Sequence, residues 1–330
     1  MKLREIQLPR DFLPLREMIC ETFQYPENPE WSVQTDEKEE IANAIRSFRR
    51  LWPLVRIMQL FSPPLRDLFR GYVAIEDDKI VGLTLVQRRG TTSTWIVGTV
   101  GVLPEYRRRG LARTGLEESI DLMRRCGATK TGLGVINGNT PAQSLYESLG
   151  FEVFDGILDY TLTEPSLPNV SPLPARYTVS KLARSDWQTR FELERRITPD
   201  EIQHYESVEK GRFRQPLMMR LLVPIMNLVQ HSKEEDFVVR DTNTDQTVAR
   251  CGYSASTRSK GVNRIRVRLD PEHPDLARYL VGTMVKEVVT RSPKLRIELG
   301  ISRWMPAIIE AVESYRFKKR VEYLKMGRIL

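Results

Sequence analysis

The spacing of apolar residues divides the first half of the chain into alternating strands and helices. Alternate or continuous apolar runs at Tyr72–Glu76, Ile80–Arg88 and Trp95–Val102 predict strands. Helical spacing predicts helices at Asp11–Thr22 and Thr35–Leu51. A further strand is expected at Leu3–Leu8, and an acidic tight turn, Asp77-Asp78-Lys79, is expected to join two strands in a hairpin. The pattern therefore predicts an α/β (α+β) protein.

The stretch Trp52–Phe69 mixes large apolar residues with arginines and has three readings. It could lie on a membrane surface, cover a binding site as a lid, or pack against a partner domain. We favour a lid or packing element, because Pro53, Pro63 and Pro64 would interrupt a continuous interfacial helix.

The central motif is a strand that leads through a basic glycine loop into a helix. After Trp95–Val102 come a turn and the loop Arg107–Ala112 (RRRGLA), followed by a helix at Arg113–Arg125. Free N–H groups at a helix start, with the helix dipole, attract anions, and Gly110 lets a diphosphate approach the backbone. The alternative is a solvated basic turn that caps a surface helix. A second strand, Thr131–Ile136, then leads to a second helix, Thr140–Leu149.

Two motifs in this region resemble those of the GNAT superfamily of N-acetyltransferases. RRRGLA is similar to the family's R-x-x-G-x-G/A pyrophosphate loop, with Arg107, Gly110 and Ala112 at the marked places. NTPAQSLYESLGF, which begins at Asn139 and ends at Phe151, is similar to N-x-x-A-x-x-L-Y-x-x-x-G-F. The resemblance is tight over about residues 71–163. It implies transfer of an acetyl group from acetyl-CoA to an amine.

The resemblance also implies which residues contact coenzyme A. A strand backbone would pair with the pantetheine arm, loop amides would hold the pyrophosphate, and Asn139 would lie beside the arm. The implied cofactor-binding residues are Val100, Gly101, Val102, Arg107, Arg108, Arg109, Gly110, Leu111, Ala112, Asn139 and Tyr146.

The resemblance implies that Tyr146 is the general acid, which would protonate the departing thiolate. Without the motif, Tyr146 would be interpreted as a half-buried tyrosine of a helix. The general base is harder to assign, because no carboxylate lies between Ile96 and Val102. Thr99 has the only polar side chain in that strand segment. Glu27 is the candidate base, with Glu21 and a water chain as alternatives.

A proline- and aromatic-rich loop, Phe23–Trp31, is expected to shape the acceptor pocket. Its candidate substrate-binding residues are Tyr25, Glu27 and Trp31. A rigid surface loop is the equally weighted alternative.

The order of elements predicts two tandem GNAT-like domains, each with a mixed, mostly antiparallel sheet flanked by helices. Residues 1–163 would form the acetyl-CoA-binding domain, and residues 164–175 a proline-rich linker. Residues 176–330 would form a degenerate, non-catalytic copy, with Arg212–Gln230 echoing the stretch around Trp52. His273, Pro274 and Asp275 stand where the phosphate loop would be.

Composition narrows the functional classes. The net charge of +8 suits a polyanionic cofactor, and no recognised motif supports specific nucleic-acid binding. Three scattered cysteines and three unclustered histidines predict no disulfide framework and no metal site. No signal peptide or transmembrane run is recognisable, so we expect a cytoplasmic monomer or homodimer with a small-molecule or peptide amine acceptor. The alternative function is a non-catalytic CoA-binding sensor or assembly module.

Overall fold

The computed structural model describes residues 2–61, 63–214, 232–257 and 261–330. The strands of its first half are β1 (Lys2–Glu5), β2 (Arg70–Glu76), β3 (Lys79–Arg88), β4 (Thr94–Val102), β5 (Lys130–Ile136) and β6 (Glu152–Leu162). The helices of this half are α1 (Phe12–Thr22), α2 (Thr35–Phe61), α3 (Pro63–Arg66), α4 (Leu111–Arg125) and α5 (Thr140–Ser148).

The second half repeats this order after an extended stretch between Leu162 and Tyr177. Its strands are β7 (Tyr177–Lys181), β8 (Ser232–Asp241), β9 (Thr247–Ser256), β10 (Asn263–Leu269), β11 (Ile297–Ser302) and β12 (Lys318–Ile329). Its helices are α6 (Trp187–Ile197), α7 (Asp200–Tyr205), α8 (Lys210–Phe213), α9 (Ala277–Arg291) and α10 (Pro306–Ser314). The predicted echo at Arg212–Gln230 lies mostly outside the described residues.

All twelve strands join one sheet, in the order β1-β2-β3-β4-β5-β12-β6-β11-β10-β9-β8-β7. Only β4–β5 and β10–β11 run parallel among the described pairs. Helices pack on the sheet, as α4 does on β2 and β3. This confirms the predicted mixed, mostly antiparallel sheet flanked by helices.

The two halves exchange their last strands. β6 ends the first half but lies between β12 and β11, with Tyr160 opposite Leu299 of the second half. β12 ends the chain but lies between β5 and β6, with Leu324 opposite Val135 of the first half. β6 therefore pairs only with strands of the second half, although it ends the first half.

The helix α2 runs without a break through Pro53, so the predicted interruption there is wrong. Its inner face carries Trp52, Val55 and Met58, which are buried beside Phe12 and Leu65. Trp52 and Phe12 form an edge-to-face pair with ring centroids 5.4 Å apart. Packing of this apolar face offsets the about 3 kcal/mol that an interior proline costs a helix.

Other local predictions hold with small shifts in their ends. The β2–β3 hairpin turns at Asp77 and Asp78, whose φ angles of 50° and 58° are both left-handed. Two such residues match the turn type that the right-handed twist of paired strands favours. The first strand is shorter than predicted, because β1 ends at Glu5.

A half-buried ion-pair cluster also joins the halves. Glu206 of the second half lies 3.1 Å from Arg89, in the β3–β4 loop, and 2.7 Å from Lys325 on β12. Burial alone would raise the pKa of Glu206, but the two cations outweigh it and hold this pKa at about 2. The carboxylate therefore stays charged and fixes β12 against the first half.

The strand exchange predicts that residues 1–175 cannot fold alone. Without β12, β5 loses a neighbour, and β6 loses both of its neighbours, which leaves long unpaired strand edges. We expect this fragment to aggregate when it is expressed by itself. Co-expression with residues 176–330 should recover a soluble heterodimer, measured by light scattering. A monomeric 1–175 fragment that melts cooperatively would contradict the argument.

Candidate active site

The site begins where two parallel strands separate. β4 and β5 pair only from Thr94–Lys130 to Val97–Leu133. On its other edge β4 stays paired with β3, with a register shift that leaves Gly98 without an opposite residue. Beyond Val97 the strands β4 and β5 open into a V. A cavity of about 680 Å³ lies at this opening, between α4, α5 and the loop after α1.

All but one of the predicted site residues line this cavity. The structure brings together Tyr25, Glu27, Trp31, Val100, Gly101, Val102, Arg107, Arg108, Gly110, Leu111, Ala112, Asn139 and Tyr146. Arg109 is the exception: its guanidinium donates to Glu76 and to the carbonyl of Glu105. Arg109 therefore stabilises the loop from outside the cavity.

The loop before α4 has the geometry of an anion cradle. Arg108 and Gly110 both have left-handed φ angles, 64° and 78°, and Gly110 is the residue immediately before the helix. The first helical hydrogen bond is donated by Thr114 to Gly110. In the described part of the chain, no acceptor outside α4 takes the N–H groups of residues 108–113. Apart from Arg109, these residues line the cavity, so unpaired donors lie at its mouth, at the positive end of the helix dipole.

Gly110 also leaves this mouth open. A Cβ placed on it would meet no atom within 4 Å. Any side chain there would occupy space that a ligand could otherwise fill. The glycine is thus needed for its backbone angle and for ligand access, while packing places no demand on it.

The side chain of Arg107 connects two elements of the cavity wall. Its guanidinium donates to the carbonyls of Val102, at 3.2 Å, and Thr22, at 3.0 Å. The side chain thus ties the end of β4 to the end of α1 and fixes one wall of the cavity. Arg108 is also exposed and lines the mouth of the cavity.

The opposite wall depends on Asn139 and its neighbours. Asn139 precedes α5, and its side-chain oxygen accepts from the N–H of Ala142. Gly138 has φ of 95°, and an added Cβ would lie 3.4 Å from the ring of Trp31. Trp31 in turn packs edge-to-face against Tyr25, with centroids 5.8 Å apart. Contact between these loops places the aromatic residues at the cavity.

Tyr146 is a deeply buried polar side chain in the cavity lining. It is 7% exposed, and its ring packs against Phe151. Burial, with a smaller contribution from Tyr25, raises the pKa of Tyr146 above its ordinary 10.0. Burial likewise raises the pKa of Tyr25, while Arg107 opposes that shift. Both phenols therefore keep their protons at neutral pH.

Glu27 is the one carboxylate among the described residues that line the cavity, and it is exposed at the rim. Glu21 is exposed and lies outside the lining. Sequence reasoning missed Tyr106, Arg113, Ala142 and Leu145, which also line the cavity. For the last two, the spacing of three residues from Ala142 to Leu145 on α5 was an available signal.

The equivalent place in the second half holds a polar network in place of a cradle. The hydroxyl of Tyr177 lies 3.0 Å from Nδ1 of His273 and 3.1 Å from the Asp275 carboxylate. Pro274 offers no N–H, and Leu276 is fully buried at the start of α9. A smaller cavity of about 270 Å³ beside β10 and β11 is lined largely by paired charges, such as Arg266 and Asp236.

The described ranges contain neither a metal-binding group nor a membrane-spanning helix. No group of three or more His, Cys, Asp or Glu side chains is arranged to hold a metal. No described helix has the length and apolar content to cross a membrane.

Comparison with known proteins shows which proteins this part of the chain resembles. Residues 17–151 match the model of the Acetyltransferase (GNAT) family. Over 95 residues, the chain is 31% identical to N-alpha-acetyltransferase 30 of Schizosaccharomyces pombe. The match covers 28% of this chain and 63% of that relative, so it spans less than two thirds of the relative's length.

Solved structures share the whole fold at low identity. A tandem GNAT protein from the clavulanic acid biosynthesis pathway has a TM-score of 0.64 and 13% identity, with 99% of this chain and 98% of that chain covered. A GCN5-related N-acetyltransferase from Sphaerobacter thermophilus has a TM-score of 0.64 and 15% identity, with 99% and 95% covered. The chain thus has the fold of these tandem structures, and its residues 17–151 are similar to the acetyltransferase (GNAT) family.

Proposed function

We propose that this protein is an N-acetyltransferase that moves the acetyl group of acetyl-CoA to a primary amine. The observation that carries the proposal is the cradle of N–H groups at residues 108–113, which opens on the same cavity as Tyr146. The division into a catalytic domain at 1–163, a linker at 164–175 and a non-catalytic copy at 176–330 remains part of this proposal.

The residues present fit coenzyme A. A diphosphate needs several converging donors and close access to the backbone, and Gly110 and the N–H groups before α4 provide both. The pantetheine arm needs an unpaired strand edge, and β4 has one beyond Val97. Val100 to Val102 would hold the arm, Arg108 would add charge beside the diphosphate, and Asn139 would border the arm.

Acetyl-CoA supplies an acyl carbon activated as a thioester. Tyr146, a neutral phenol in a water-poor setting, would donate its proton to the departing sulfur as the C–S bond breaks. The attacking amine forms the new C–N bond and loses one proton, for which Glu27 at the rim is the proposed acceptor. The phenol regains its proton from solvent, because burial disfavours tyrosinate. Overall, one amine hydrogen is exchanged for the acetyl group.

We propose the α-amino group of a polypeptide as the acceptor class. The relative from Schizosaccharomyces pombe is an N-alpha-acetyltransferase by name. Tyr25 and Trp31 form an aromatic rim at the open side of the cavity, which suits the first side chains of an extended peptide.

The acceptor class predicts a clear result in a thiol-release assay. We expect a short peptide with a free α-amine to accelerate release of thiol from acetyl-CoA, and the same peptide with a blocked N-terminus to have no effect. Release with polyamines or free amino acids alone would overturn the acceptor class and keep acetyl transfer. Tight CoA binding with no release for any amine would support a CoA-binding sensor instead.

Tyr146→Phe is expected to lower kcat by about ten- to a thousandfold while the dissociation constant for CoA stays nearly unchanged. The ring keeps its packing against Phe151, and only the proton donor is lost. The raised pKa predicts that the wild-type rate shows no loss from Tyr146 ionisation until the pH passes 10.0. Equal turnover of the two proteins would remove Tyr146 from the mechanism.

Gly110→Ala is expected to weaken CoA binding by about tenfold, because the new methyl group enters the cradle. Gly127→Ala is the matched control. Gly127 follows the other end of α4, has φ of 77° against 78° for Gly110, and also has open space around its Cβ. Both changes strain the backbone by about 1 kcal/mol. Calorimetry should show weakened binding for Gly110→Ala alone; equal loss in both would contradict the cradle.

A further inference from the structure

The outer face of α2 has a composition that neither the cavity nor the core explains. Leu54, Ile57 and Leu60 are 38%, 55% and 69% exposed. They recur at intervals of three residues, so they lie on one side of the helix. The inner side, with Trp52, Val55 and Met58, is already buried against the rest of the first half. No residue of α2 is among the described residues that line the large cavity.

Four arginines share this outer face. Arg46, Arg49, Arg50 and Arg56 are all exposed, and the chain has no Asp or Glu between residues 41 and 61. In the described ranges, Arg49, Arg50 and Arg56 form no ion pair with a carboxylate. Arg46 donates only to the side chain of its helix neighbour Asn43. The face therefore combines an unneutralised positive charge with protruding aliphatic side chains.

The helix is held rigidly in this orientation. At its start, Glu37 accepts from Arg320, at 2.8 Å, and Glu40 pairs with Arg264, at 2.6 Å. At its end, Arg66 donates to the carbonyls of Gln59 and Leu60. Because α2 continues through Pro53, residues on both sides of this proline lie on one face of a single helix.

We propose that the outer face of α2 docks on an anionic lipid surface. The arginines would lie among acidic headgroups, and Leu54, Ile57 and Leu60 would enter the boundary of the acyl chains. Charge complementarity favours this partner. A second copy of the chain would bring two sets of four arginines together. A nucleic acid would use the arginines but gain nothing from the aliphatic side chains. The exposed face of α2 also suits a lipid surface, because such a surface can deform around a helix.

Vesicle sedimentation tests the proposal with the full-length chain. We expect binding to phosphatidylcholine vesicles that contain about a third phosphatidylserine, little binding to pure phosphatidylcholine, and weaker binding as salt rises. Arg49→Gln with Arg50→Gln should weaken binding on the order of twentyfold. Ile57→Ser with Leu60→Ser should weaken it about tenfold. The control, Leu167→Ser with Arg278→Gln, removes exposed side chains elsewhere and should bind like the wild type.

Several outcomes would overturn the proposal. These are equal binding to neutral and anionic vesicles, no binding to either, or equal loss in the control variant. Loss with the arginine variant alone, together with matching loss on duplex DNA, would indicate electrostatic retention by nucleic acid. A wild-type dimer that the Ile57 and Leu60 changes convert to a monomer would indicate a second copy as the partner. Unchanged CoA binding by each variant would show that the fold is intact.

Discussion

The position of β12 between β5 and β6 is the constraint on which the rest of the structure depends. β5 forms one side of the V that holds the cavity, and the last strand of the chain fixes its other edge. The influence extends to the loop beyond β5. The N–H of Asn137 donates to the carbonyl of Glu322, at 2.8 Å, and its side-chain amide donates to the Glu322 carboxylate, at 3.2 Å. The second half thus positions the loop that leads to Asn139.

This arrangement gives the second half a structural role in the first. At the place equivalent to the cradle, Pro274 has no N–H group, and Tyr177 contacts His273 and Asp275. The central strands of the second half continue the sheet, and β11 supports β6 from the far side.

The ion pairs between the halves set their relative position more than they add stability. Burying Glu206 between Arg89 and Lys325 costs desolvation energy that the attraction roughly repays, so such clusters mainly specify geometry. Because the pKa of Glu206 falls from 4.5 to about 2, its contribution to stability is present above pH 4.5. That contribution is lost as the pH falls through about 2. The ion pairs of Glu206 therefore hold the halves together throughout the pH range in which acetyl transfer is chemically reasonable.

The sequence predicted those features of the structure that depend on residues close together in the chain. The two motifs pointed to the loop before α4 and to Tyr146, because each motif occupies consecutive residues. The hairpin at Asp77 and Asp78 followed from turn chemistry. The strand exchange could not be predicted, because β6 and β12 have the same local pattern whichever half they pair with. The uninterrupted helix at Pro53 depended on tertiary packing of Trp52, which outweighs the local preference.

The positions of the two proton-transfer groups in the proposed reaction follow from the same architecture. Tyr146 lies on α5, whose inner face is sealed by the core of the first half, so its phenol is buried and keeps its proton. Glu27 lies on the loop after α1, away from that core, and remains in solvent. A donor that must stay neutral and an acceptor that must stay charged need opposite environments. The cavity provides both, because the Tyr146 side chain packs into the core while Glu27 lies on a surface loop.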